Sequence, residues 1–183
     1  MAQRFQRCDK VASENAALAA EVLMAAPPRG NAGCSVYFIT ASTFQKQSLF
    51  QSDRFSLPFI DTLLHCQLQG KYLLHEFVVM PNHFHVLITA TQTLESAMQL
   101  IKGGFSYRAR KELGYAGEIW QASCYDRRVR GVEDHVNCKH YIRQNPVKRG
   151  LARAPGEYPC SSAYPGFVMD EVPERLKRGF LTA

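Results

Sequence analysis

The stretch Met80-Pro81-Asn82-His83-Phe84-His85-Val86-Leu87-Ile88 constrains this chain more than any other. A proline-asparagine pair opens onto an aliphatic run in which two imidazoles flank a phenylalanine. Side chains on a β-strand alternate faces, so His83 and His85 share one face while Phe84 points to the other. Two neutral imidazoles side by side on a rigid strand make half of a metal site. Tyr72 to Met80 reads as a preceding strand, and Pro81-Asn82 as the turn of an antiparallel hairpin.

The remaining elements follow from periodicity. Val36–Thr40 is rich in β-branched and aromatic residues and reads as the first strand. A helix is expected after Pro58, where Phe59, Ile60, Leu63, Leu64 and Leu68 recur at helical spacing until Gly70. A second helix is expected over about 94–113, weakened at Gly103-Gly104, followed by a strand near 123–130. A last helix should run from about Glu133 to Asn145 and stop at Pro146, which pushes its predecessor out of helical geometry. The order predicts an α+β fold: a ferredoxin-like split βαβ antiparallel sheet with helices on one face, plus an additional C-terminal catalytic helix. Residues 1–33 read as an N-terminal extension and linker, with a short helix near 12–25 ahead of Pro27-Pro28. Residues 34–153 form the expected catalytic domain, and 154–183 an irregular C-terminal tail rich in proline and glycine.

Composition narrows the setting. No apolar run is long enough to cross a membrane, and Glu14, Asn15 and Glu21 break up the alanine-rich N-terminal segment that would otherwise resemble a secretory signal. The six cysteines are scattered without a C-x-x-C pair, which argues against a zinc finger or a disulfide framework and fits a reducing cytoplasm. The net charge of +6 sits wholly in the second half: residues 1–100 hold seven basic and seven acidic side chains, residues 101–183 fifteen and nine. An anionic partner contacting that half is the expectation.

On the last helix Tyr141 and Asn145 lie four apart and so project together. If that helix packs over the imidazole face, a cation could be held by two nitrogens and the Asn145 amide oxygen, with open positions beside the Tyr141 phenol. Asn145 also suits a plain helix-terminal residue. Phosphodiesters repel anionic nucleophiles, so a divalent ion on a phosphate oxygen neutralises charge that develops during attack. A tyrosine attacking phosphorus leaves a phosphotyrosine link and a free hydroxyl, so the strand can be rejoined without ATP.

The hairpin motif and Tyr141-Ile142-Arg143-Gln144-Asn145-Pro146-Val147-Lys148-Arg149-Gly150-Leu151 together resemble the paired signatures of the single-tyrosine HUH transposases, most nearly the REP-associated tyrosine transposases of bacteria. Ile119-Trp120-Gln121, Tyr125-Asp126-Arg127 and Glu157-Tyr158-Pro159-Cys160-Ser161-Ser162 resemble further blocks of that family, so the likeness spans about 36–165. It implies a metal-dependent endonuclease and strand transferase acting on single-stranded, hairpin-forming DNA. Tyr141 would be the nucleophile, and His83, His85 and Asn145 the ligands of Mg²⁺ or Mn²⁺. In mobile-element relatives the third ligand position is often glutamine. The family contains both dimers and proteins that act alone, so monomer and homodimer both stay open.

Lys102, Arg127, Arg128, Arg130, Arg143, Lys148 and Arg149 are the expected phosphate contacts, supplying salt-dependent affinity rather than sequence choice. Trp120 and Phe105 could stack on unpaired bases, though a lone tryptophan is more often buried, whereas Tyr107, Tyr115 and Tyr125 read as structural. Asp126 could orient a ligand from the neighbouring strand. Two rivals stand beside this reading: a non-catalytic ferredoxin-like nucleic-acid-binding protein, and a zinc-dependent hydrolase that forms no covalent adduct.

Overall fold

The computed structural model describes residues 35–177; the helix expected near 12–25 lies outside them. Strands β1 (Val36–Thr43), β2 (Tyr72–Met80), β3 (His83–Ala90) and β4 (Trp120–Arg128) form a sheet in the order β2-β3-β1-β4. Every neighbouring pair is antiparallel, as a split βαβ sheet requires. Helices α1 (Asp53–Leu68), α2 (Leu94–Met98) and α3 (Gly104–Leu113) complete the first six-element pattern, and α4 (Val132–Lys148) follows β4. A wide π-type turn over Gln99–Gly103 joins α2 to α3, just where the glycine pair weakens helical propensity. Among the described residues no helix is long and apolar enough to cross a membrane.

The two faces of the sheet carry different chemistry. Phe84 and its alternates Val86 and Ile88 turn toward α1 and α3, and all three are fully buried. There Phe50, Phe59, Phe84, Phe105 and Trp120 form one aromatic cluster with centroids 4.9–5.9 Å apart. The Trp120 Nε1–H donates to the Lys102 carbonyl at 2.9 Å, which satisfies the half-buried indole packed against the core. Trp120 and Phe105 therefore hold the fold together rather than offering stacking surfaces. The opposite face carries His83 and His85 and is covered by α4.

Two prolines sit inside helices. Ser52 caps α1 through the Arg54 amide, so the helix begins at Asp53 and Pro58 lies within it rather than before it. Pro146 likewise lies within α4, which continues to Lys148 instead of ending at Asn145. Each proline forgoes one backbone hydrogen bond. Packing offsets that loss: Asn145 and Pro146 are both buried.

The hairpin turn is unusual. Met80 pairs with His83, leaving only Pro81-Asn82 between the strands, yet proline's fixed negative φ excludes the primed turns that suit two-residue hairpins. The loop after β1 braces it instead. Thr43 donates to the Asn82 carbonyl from both its amide and its hydroxyl (2.9 Å each), and the Phe50 amide donates to the Pro81 carbonyl at 2.9 Å. The same loop holds Gln45 and Lys46 at φ of 50° and 55°, a left-handed conformation costing about 1–2 kcal/mol per residue.

The segment after α4 is irregular in backbone but closely docked. Cys160, Ser162 and Asp170 run along the outer edge of β2: the Val79 amide donates to the Cys160 carbonyl, the Ser162 amide to Phe77, and the Asp170 amide to Leu74 (2.8–2.9 Å). Tyr158 donates its hydroxyl to the Val79 carbonyl at 2.9 Å. This cover satisfies an edge that would otherwise be open for pairing with other chains.

Candidate active site

Strand register decides which side chains meet. Thr40 on β1 lies opposite His85 on β3, and Tyr125 on β4 lies opposite Thr40. Phe38, Thr40, His83, His85, Tyr125 and Arg127 thus share the face beneath α4. Asp126 and Arg128 pair with Ile39 and Tyr37, so they belong to the other face. Asp126 is placed away from the imidazoles it was expected to orient.

The imidazoles lie 4.9 Å apart between ring centroids and nearly perpendicular, at 80°. His83 Nδ1 is 2.7 Å from Asn82 Oδ1, an atom that only accepts, so the proton sits on Nδ1. The Asn145 Nδ2 amide donates to His85 Nε2 at 3.2 Å, leaving His85 Nδ1–H to donate to Thr40 Oγ1 at 2.7 Å. Both rings therefore carry their proton on Nδ1, and His85 Nε2 opens to a cation only when the Asn145 amide donor turns away from it.

Electrostatics favours the same state. Burial pushes the His83 imidazole down to about 4, with the charges of Arg149 and Lys46 adding to the effect. His85 is pushed down to about 3 by burial, then by His83 and Arg149. Both rings are neutral at pH 7, as ligands must be.

Tyr141 reaches this pair from α4. Its ring is 5.2 Å from His85 and 5.8 Å from Phe38, edge-on to both, and 42% of the residue is exposed. Asn145, one turn further along, is buried against His85. The four side chains singled out in the sequence thus meet on one face. Lys148 Nζ lies 5.9 Å over the Tyr141 ring.

The other expected basic contacts are dispersed. Lys148 and Arg149 are exposed beside the centre. Arg143 commits Nε and Nη2 to the Glu76 carboxylate at 3.1 and 2.8 Å. Arg127 grips both oxygens of Asp134 at 2.7 and 2.9 Å and lies over the Phe38 ring. Arg130 is exposed past the end of β4. Lys102 donates to the Gln121 carbonyl at 3.0 Å on the α3 side. Tyr107 and Tyr125, expected to be structural, are 61% and 58% exposed.

Sequence reasoning passed over Thr40, Lys46, Glu76 and Asn82. Asn82 was visible in the hairpin motif. Thr40 is only found once register is known, and Lys46 and Glu76 carry no local signal.

The donor set suits a divalent cation. Among the described residues no group of three His, Cys, Asp or Glu could hold a metal, so the candidate ligands are two imidazoles and one amide. Turning the Asn145 amide would present Oδ1 in place of Nδ2. Neutral ligands leave the full positive charge of the ion to act on a phosphate.

Residues 34–145 match the family model described as "Transposase IS200 like". The chain belongs to the IS200-like transposase family. Its fold is similar to that of a REP-associated tyrosine transposase solved with a REP hairpin, with a TM-score of 0.56 and 20% identity over 80% of this chain and 89% of that one. An uncharacterized protein of Haemophilus influenzae is 26% identical in a 96-position alignment that covers 39% of this chain. The alignment spans about half, 53%, of that relative's length.

Proposed function

We propose that the protein is a metal-dependent endonuclease and strand transferase that cuts single-stranded, hairpin-forming DNA through a covalent link to Tyr141. The observation that carries this reading is the convergence of Tyr141, Asn145, His83 and His85 from α4 and β3 on one face. Membership of a transposase family and likeness to a protein bound to a REP hairpin support the choice of substrate.

His83, His85 and Asn145 would hold Mg²⁺ or Mn²⁺, which when bound supplies positive charge to a phosphate oxygen. Thr40 and Asn82 hold the proton of each imidazole on Nδ1, which leaves the Nε2 atoms as the candidate ligand atoms. The Tyr141 oxygen attacks phosphorus; the new O–P bond forms as the bond to the departing sugar oxygen breaks. The phenol proton goes to solvent, and the departing oxygen takes one up to become a hydroxyl. The reverse attack by a hydroxyl restores the phosphodiester, because one ester replaces another. Lys148 over the Tyr141 ring and Arg149 near the imidazoles offset negative charge during attack. Lys148 and Arg149 are the basic side chains we assign to substrate phosphates. We assign Arg143 and Arg127 to holding α4, since their guanidinium groups are engaged with carboxylates. Cys66, Cys124 and Cys138 are free thiols, which suits a cytoplasmic setting.

The test incubates labelled hairpin oligonucleotides with protein and Mg²⁺ or Mn²⁺, then separates denatured products. The wild type should form a covalent adduct. The paired substitution His83→Ala/His85→Ala should bind DNA without forming one. Cleavage without any adduct would favour the hydrolase reading. Salt-sensitive binding with neither cleavage nor adduct would favour the non-catalytic binder.

A further inference from the structure

Helix α4 is held by two ion-pair clamps, one from each edge strand of the sheet. On the β2 side, Glu76 is a carboxylate only 2% exposed, and it receives Arg143 through two hydrogen bonds, Lys139 at 2.9 Å and the Ser162 hydroxyl at 2.7 Å. On the β4 side, Arg127 grips Asp134 and contacts Cys138 Sγ at 3.0 Å. Lys139 and Arg143 lie one turn apart on one flank of α4. Tyr141 lies two residues from each, about 200° round the helix, on the flank that carries Asp134.

A β-bulge creates the first clamp. Register shifts between Leu74 and Glu76, with His75 as the extra residue. His75 reaches Thr89 at 2.8 Å and Glu76 reaches α4, so two consecutive side chains serve the same face. Bulges re-aim side chains in this way at functional sites. A core apolar residue at this position would pack with no need for charge, and a buried carboxylate is costly unless fully partnered. Burial alone would raise the Glu76 carboxyl, yet the hydrogen bonds from Arg143, Lys139 and Ser162 hold it below its ordinary value.

We propose that Glu76 is a positioning residue for Tyr141: by fixing the roll of α4 against the Arg127–Asp134 clamp, it holds the phenol at the imidazole pair. The inference rests on the function proposed above. The geometry shows why roll matters. The phenol oxygen stands on the order of 9 Å from the helix axis, so a roll of about 20° carries it roughly 3 Å. Misplacement by about 1 Å can cost a hundredfold in rate. The apolar contacts beneath α4 are non-directional and tolerate such a roll; the paired clamps do not.

The test compares wild type with Glu76→Gln, which keeps the shape and removes the charge. Three readouts are taken below the melting temperature: hairpin-DNA affinity by anisotropy, the rate of adduct formation, and the ¹⁹F spectrum of 3-fluorotyrosine placed at 141. The expected result is an adduct rate at least tenfold lower, DNA affinity within twofold, and a shifted or broadened ¹⁹F line. Lys139→Met, which leaves the Arg143 pair intact, should lower the rate several-fold and serves if Glu76→Gln does not fold. An unchanged rate and line in a folded variant would overturn the proposal, as would a rate that falls only in step with DNA affinity. If wild type forms no adduct, the proposed chemistry fails instead, while the ¹⁹F line still reports whether Glu76 fixes the ring.

Discussion

Replacing Thr40 by valine tests whether the tautomer of His85 governs the centre. Valine keeps the shape and β-branching but removes Oγ1, which takes the His85 Nδ1–H at 2.7 Å. His85 is 3% exposed, so its Nδ1–H would lose its partner without gaining water. A buried donor left unpaired costs about 1–3 kcal/mol, which in a domain of this size lowers Tm by on the order of 5 °C. The ring can escape that cost by moving its proton to Nε2. That atom would then face the Asn145 amide donor and could no longer ligate. Losing the partner that orients a metal-bound imidazole typically weakens metal affinity about 10–100-fold. Adduct formation measured against Mn²⁺ concentration should therefore show a half-maximal point shifted upward by about that factor, with the rate recovering at saturating metal. An unchanged metal requirement, alongside the expected fall in Tm, would refute the tautomer argument.

Acid should loosen the fold in a defined window. Burial, the largest cause, pushes His75 down to about 4, so the native ring stays neutral while an unfolded one takes a proton near 6.5. Its contribution is full above 6.5 and is lost as pH falls toward 4, about 3 kcal/mol in all. Urea unfolding at several pH values should show this loss, and a flat profile between pH 7 and 5 would contradict it. Trp120→Ala should cost roughly 3–5 kcal/mol of stability, with DNA affinity unchanged in the protein that remains folded; a selective loss of affinity would restore the stacking role. Lys148→Ala and Arg149→Ala should each flatten the salt dependence of DNA binding by about 0.7–1 in slope. The unaltered slope of either variant would remove that residue from the phosphate contacts.

The alternation of His83, Phe84 and His85 was legible because strand geometry is strictly two-fold, and one bulky residue between two imidazoles assigns both faces at once. Tyr141 and Asn145 were legible for the corresponding helical reason. Pro146 misled because its backbone penalty is local, whereas the burial of Asn145 against His85 depends on contacts 60 positions apart. Pro58 misled in the same way, since the Ser52 cap sits ahead of it. Glu76 could not be recognised in a run of apolar neighbours, because its role depends on a bulge that sequence does not announce. The pairing of Arg127 with Asp134 and of Arg143 with Glu76 was not legible, since each partner lies on a separate element. Tyr125 reads as structural yet is exposed, because an aromatic side chain in a strand gives no sign of which sheet face is covered.

The most direct measurement digests the trapped protein–DNA adduct with protease and nuclease and locates the nucleotide by mass spectrometry. A single modified peptide carrying the nucleotide on Tyr141 is expected, lost in Tyr141→Phe while that variant stays folded. A nucleotide on another residue, or an adduct that survives in Tyr141→Phe, would contradict it.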